Sequence, residues 1–207
     1  HYSGLPYIRT TITEKIAHEM QLFILLALGV SFVILFIFFR NFYAVIFSLV
    51  VVVFGVVWLL GSIELMNYKI TILTSLIPPL LIVIGIPNCI LLINKYQQEF
   101  SLHGNKIKAL ARAIEKIGPT TFLANMTTAI GFFVFYFTGS KGMMEFGLVA
   151  SLNVMLTYLV SLVFIPIVFS FLPPPSVRHT KHLQSKITTY MLGKVELWVH
   201  KYRARIY

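Results

Sequence analysis

The chain has 207 residues, 57% apolar and only 12% charged, with a net charge of +10 and a single cysteine. A soluble domain of this length needs far more polar surface, so that class is excluded. No soluble module gathers Arg and Lys with base-reading side chains, which excludes a nucleic-acid partner, and the lone Cys89 excludes an intrachain disulfide or a cysteine metal site.

Five runs free of Asp, Glu, Lys, Arg and His predict five membrane-crossing helices at 21–39, 42–63, 70–93, 120–138 and 146–172. Each is near the 20 or so residues that cross a bilayer at about 1.5 Å per residue. Residues 1–20 read as the end of an outer segment leading into the first helix, with a helical stretch from Thr13. Arg40-Asn41 is too short for anything but an antiparallel hairpin. Between the third and fourth runs, Ile107, Leu110, Ala111, Ile114 and Ile117 recur at helical spacing among basic residues, which predicts an amphipathic interfacial helix over 105–117. Gly118-Pro119 is expected to end it and start the fourth span. Thr138–Gly142 is a tight turn, and Pro173–Pro175 stops the fifth span. Residues 173–207 read as a linker and a second interfacial helix from Ser185, with Ile187, Tyr190, Met191, Val195 and Trp198 on its apolar side. The fold class is all-α: a polytopic bundle of five transmembrane helices plus two amphipathic interfacial helices.

With alternating spans, residues 1–20, 64–69 and 139–145 share one side and carry four basic against four acidic residues. Residues 40–41, 94–119 and 173–207 share the other and carry thirteen against three, the whole net charge. That bias predicts the first end outside and the last end inside. The start at His1, with no basic leader region, and the basic aromatic end at Trp198–Tyr207 suggest a piece of a longer chain, with a span before it and another after it.

The third span carries Thr71, Ser75, Pro78, Ile82, Gly85 and Asn88 at three- and four-residue steps, with Pro78-Pro79 and Pro87 breaking backbone bonds. Such breaks call for an interior, kinked helix. The fourth span offers Thr121, Asn125, Thr128 and Gly131; the fifth offers Gly147, Ser151, Asn153, Thr157 and Ser161. Thr71, Ser75, Pro78, Ser151, Asn153 and Thr157 are read as a helix-packing polar face, the ordinary role of small polar residues in a bundle. Gly85, Pro87, Asn88, Asn125 and Thr128 are read as a polar centre for transport. The Phe-rich first and second spans face lipid or substrate. His103, His179, His182 and His200 lack converging carboxylates or thiols, so no metal is expected. No phosphate loop, nucleophile elbow or HExxH occurs, so neither an enzyme nor a cofactor is expected.

Thr127-Thr-Ala-Ile-Gly-Phe132, Glu145-Phe-Gly-Leu148 and Pro166 resemble the fifth and sixth helices of resistance–nodulation–division (RND) transporters, in the branch of MMPL- and Patched-like hydrophobe exporters. Ala109 and Ala113 before Gly118-Pro119 are similar too, as is Ile84–Ile90 followed by Asn94-Lys-Tyr96, where the family has a fourth-helix Gly-hydrophobic-Asp motif. The resemblance covers nearly the whole chain, as helices two to six, the sterol-sensing-domain-like unit. It implies a bacterial inner-membrane protein that exports lipids or other hydrophobic molecules, driven by protons. Its partners would be the lipid substrate, a porter domain and a second transmembrane half of the same chain, and an oligomer is compatible with it. One departure stands out: Pro87 and Asn88 occupy the place of the proton-carrying acid, and the chain contains no Asp. Asn does not titrate. The acid is then in the other half, or the protein is uncoupled or uses another ion; a non-energised lipid- or sterol-sensing or scaffolding domain is the second reading.

Overall fold

The computed structural model describes residues 5–39, 41–68 and 71–172. They form α1 (Leu5–Phe39), α2 (Phe42–Leu65), α3 (Ile72–Ser75), α4 (Ile77–His103), α5 (Lys106–Phe133), a 3-10 turn at Val134–Phe137, and α6 (Lys141–Phe171). The described residues contain no strand, and five helical segments are long and apolar enough to cross a membrane. In such a solvent every backbone group must be satisfied within the helix, so uninterrupted apolar runs become helices.

Polar caps set the boundaries. Asn41 caps α2, its side chain accepting from the Tyr43 N–H at 3.1 Å. The α4–α5 connection is only Gly104-Asn105. Gly104 takes φ +65°, a left-handed conformation that ends α4, and the Asn105 side chain accepts from the Lys108 N–H at 3.1 Å to begin α5. At about 1.5 Å per residue α4 and α5 are each roughly 40 Å long, against about 30 Å of hydrocarbon. Their shared turn therefore stands beyond the apolar layer, at what is here termed the basic end.

Two expectations from the sequence change. The 105–117 stretch and the fourth span are a single helix, α5, with Pro119 inside it. Ala109, Leu110 and Ala113 are buried in a core with Leu92, Ile93 and Tyr96 of α4 and Ile165 and Phe169 of α6. Protein rather than membrane surface covers the inner side of that stretch, and this packing carries the helix through the proline. The third span, conversely, is two helices. Pro78 and Pro79 have no N–H, so the chain is interrupted at Leu76 and the prolines fall in the first turn of α4, where no donor is needed. Thr71 therefore does not share a helix with Gly85 and Asn88. The expected second interfacial helix, from Ser185, lies outside the described residues.

Helix α4 is the centre, packing against α1, α2, α5 and α6. Helix α2 buries one face, Ala44, Val45, Ser48, Val51, Val52, Gly55, Val56, Leu59 and Ile63, at helical spacing, and leaves Val57 and Trp58 exposed. Helix α1 packs only along one side, with Leu25 70% and Ile37 64% exposed. Close approach of α2, α4 and α6 depends on missing side chains: a Cβ on Gly55 would meet Thr157 Oγ1 at 2.9 Å, and one on Gly85 would meet Thr157 Cγ2 at 3.1 Å. Lys106 donates to the carbonyls of Ser170, at 2.6 Å, and Leu172, pinning the start of α5 to the end of α6, where helix carbonyls lack partners.

Candidate functional site

The interface of α4 and α5 holds a reciprocal amide pair. Asn88 Nδ2 donates to Asn125 Oδ1 at 3.2 Å, and Asn125 Nδ2 donates to Asn88 Oδ1 at 2.9 Å and to the Thr121 carbonyl at 2.7 Å. Both residues are buried. Two amides can satisfy one another in this way because each has a donor and an acceptor side by side. Just along α5, Thr121 Oγ1 donates to the Ile117 carbonyl at 2.8 Å, and the Tyr158 hydroxyl of α6 donates to the Gly118 carbonyl at 3.0 Å, tying α6 to α5 beside Pro119. Among the five apolar runs no acid or base accompanies the pair. The centre is polar and closed on itself.

At the basic end lies a second constellation. Glu99, two turns beyond the third apolar run, is only 2% exposed. Its carboxylate is met by Lys116 Nζ at 3.0 Å, Lys95 Nζ at 3.1 Å, Arg112 Nη1 at 3.5 Å and His103 Nε2 at 3.8 Å. Arg112 Nη1 also contacts His103 Nε2. Lys95 and His103 flank Glu99 by one turn on α4, and Arg112 and Lys116 come from α5. Hydrogen bonds from Lys116 and then Lys95 pull the Glu99 carboxyl from its usual 4.5 to about 2, outweighing the opposite push of burial. The carboxylate fastens the tops of α4 and α5 together.

A family model described as the MMPL family matches residues 2–203. This chain belongs to the MMPL family. With its five apolar helical segments, the MMPL chain is a multi-pass membrane protein. No curated protein matches it significantly.

Of the residues expected to form the polar centre of this MMPL chain, the structure brings together Asn88 and Asn125 alone. Gly85 is buried one turn away and faces Thr157 and Val52, a packing position. Pro87 is exposed: one residue, about 100°, turns it away from the face that carries Asn88. The break it causes thus lies on the outward side of the central helix, near exposed Val83, and not in the interior. Thr128 is half-buried and donates back to the Ala124 carbonyl at 3.0 Å. Of the packing face, Thr71 caps α3 in a capping box with Thr74, and Pro78 is buried in the first turn of α4. Ser75 and Ser151 are buried and bond within their own helices. Asn153 reaches across to Ser62 Oγ of α2 at 2.9 Å, and Thr157 sits buried between Gly55 and Gly85. The Glu99 cage was missed. Its signal was present, a Lys95–Glu99–His103 ladder at i, i+4 and i+8, but the α5 cations join it only through the Gly104-Asn105 turn.

Proposed function

We propose that this chain is one transmembrane half of an RND-type exporter that moves lipids or other hydrophobic molecules out of a bacterial inner membrane. Membership of the MMPL family across residues 2–203 is the observation that carries the reading. In this reading a porter domain and a second transmembrane half complete the protein, the start of the chain lies on the periplasmic side, and the basic end faces the cytoplasm, in keeping with the charge bias. The exposed apolar face of α1 from Leu22 to Ile34, indented at Gly29, supplies a surface along which a hydrophobic substrate can enter from the bilayer. The α4–α5 contact through Asn88 and Asn125 would shift as the porter domain moves. The proton-motive force would act through an acid of the second half, because an amide pair takes up no proton at physiological pH.

A non-energised lipid-sensing domain is the second reading, favoured by one observation: Asn88, at the place of the family's acid, is an amide satisfied by a second amide, Asn125. Reconstitution of the full-length protein separates the two. Export predicts that an imposed pH gradient accelerates transfer of a fluorescent phospholipid across the vesicle membrane, and that Asn88→Leu and Asn125→Leu each slow it. Wild-type protein that moves no lipid under any gradient sinks the export reading. Unchanged flux in both variants, at normal protein levels, removes the amide pair from the mechanism.

A further inference from the structure

The Glu99 cage holds more positive charge than its carboxylate needs. Lys95, Arg112 and Lys116 supply three fixed cations to one anion, before His103 is counted. A clamp between two helices requires one or two. Lys116 keeps 55% and Arg112 36% of its side chain exposed, and Arg112 meets the cage through only one of its three guanidinium nitrogens, Nη1. Both side chains thus keep accessible surface at this end of α5.

The same face of α5 continues toward the bilayer. Arg112, Lys116, Thr120, Leu123, Thr127 and Ile130 fall within about 80° of one another at 100° per residue. Leu123 is 66% and Ile130 54% exposed, and Thr120 and Thr127 are exposed as well. The stripe therefore passes from two cations through a hydroxyl to bare hydrocarbon. Lys116 precedes the fourth apolar run by four residues, about 6 Å, while the headgroup layer is roughly 5–8 Å thick on each side of a bilayer. Lys116 stands at the depth of lipid phosphates, and Arg112, about 12 Å before the run and one turn farther out, reaches that depth only through its long side chain.

We propose that this stripe is a binding site for an acidic phospholipid, with the phosphate on Arg112 and Lys116 and an acyl chain along Leu123 and Ile130. A free phosphate would use the same cations, but it would gain nothing from the apolar continuation of the stripe, and this decides for the lipid. Bound there, the lipid bridges no second helix by itself. It loads the cations that hold Glu99, so the α4–α5 clamp and the local lipid composition become linked. The site is independent of which cargo is moved, or in which direction.

Full-length protein in phosphatidylcholine vesicles tests this with a trace of phosphatidylglycerol carrying a photoreactive acyl chain. Wild-type protein is expected to be labelled on α5 below Lys116, with displacement by unlabelled phosphatidylglycerol. At about 1 kcal/mol per basic residue near an anionic surface, R112Q/K116Q should need roughly thirtyfold more probe for equal labelling, and K116Q alone about fivefold. Lys141→Gln, at the opposite end of the bundle, should leave labelling unchanged. If the double variant does not fold, K116Q, at an exposed position, carries the test. Wild-type labelling curves in the folded variants overturn the proposal. So does equal labelling by a photoreactive phosphatidylcholine. Displacement by inorganic phosphate as readily as by phosphatidylglycerol would assign the cations to a free anion instead.

Discussion

Removing one member of the Asn88–Asn125 pair should cost more than removing both. In Asn125→Leu, three hydrogen bonds disappear: the two of the reciprocal pair and the one to the Thr121 carbonyl. The Thr121 carbonyl is still an acceptor within a helix, so its loss is minor. Asn88 is different, because both of its polar ends then lie buried against apolar neighbours. An unsatisfied buried polar group costs about 1–3 kcal/mol, whereas hydrogen bonds between membrane helices are worth on average only about 0.6 kcal/mol each. The desolvation term therefore wins, and each single Leu variant should lose about 2 kcal/mol. In N88L/N125L no amide is orphaned, and two Leu side chains of similar length meet at the interface, so the double variant should fall within about 1 kcal/mol of wild type. The coupling is then large and favourable, as expected for groups in direct contact. Reversible unfolding of the full-length protein in mixed micelles measures all four corners of the cycle. A double variant that loses as much as the two single variants combined would refute the reasoning, because it would mean that the pair contributes through packing and not through mutual satisfaction.

Two further perturbations probe other contacts. A Cβ on Gly147 would lie 2.5 Å from the Phe132 carbonyl oxygen and 2.7 Å from Phe135 Cβ, so Gly147→Ala must push α6 off the end of α5. It should lose about 1–3 kcal/mol, while Gly131→Ala, with open space around it, should gain about 1 kcal/mol from helix propensity; the same unfolding assay compares them, and equal effects would refute the close approach. The Glu99 carboxyl titrates lower in the folded protein than in the unfolded chain, so its contribution to stability is complete above about pH 4.5 and is lost as pH falls toward about 2. Glu99→Gln should be less stable at neutral pH and lack that part of the acid dependence, whereas a constant gap between the two melting profiles across the range would show that Glu99 is not clamped.

Much of the candidate site was legible as composition and little of it as geometry. Asn88 and Asn125 were legible because an amide in an uncharged run is conspicuous. Their partnership was not, since 37 residues and a hairpin separate them and only the register of α4 against α5 makes them neighbours. Pro87 was placed in the centre by proximity in sequence, yet helical rotation turns it outward. Glu99 was read merely as one charge in a basic segment. Its burial depends on the rigid extension of both helices past the apolar layer, and that extension depends on Ala109 and Ala113 packing against α4 and α6. The break between α3 and α4, by contrast, was foreshadowed by Pro78-Pro79, because a missing N–H is a local property.

The sequence alone determined the class of the protein, the number of spans and the resemblance to RND transporters. Apolar runs of sufficient length have one way to satisfy their backbone in a membrane, so composition suffices there. Tertiary structure alone decided that α5 runs unbroken through Pro119, that two amides close on each other, and that Glu99 is enclosed by cations from two helices. Each of those depends on which faces meet, and faces are set by packing between segments distant in the chain.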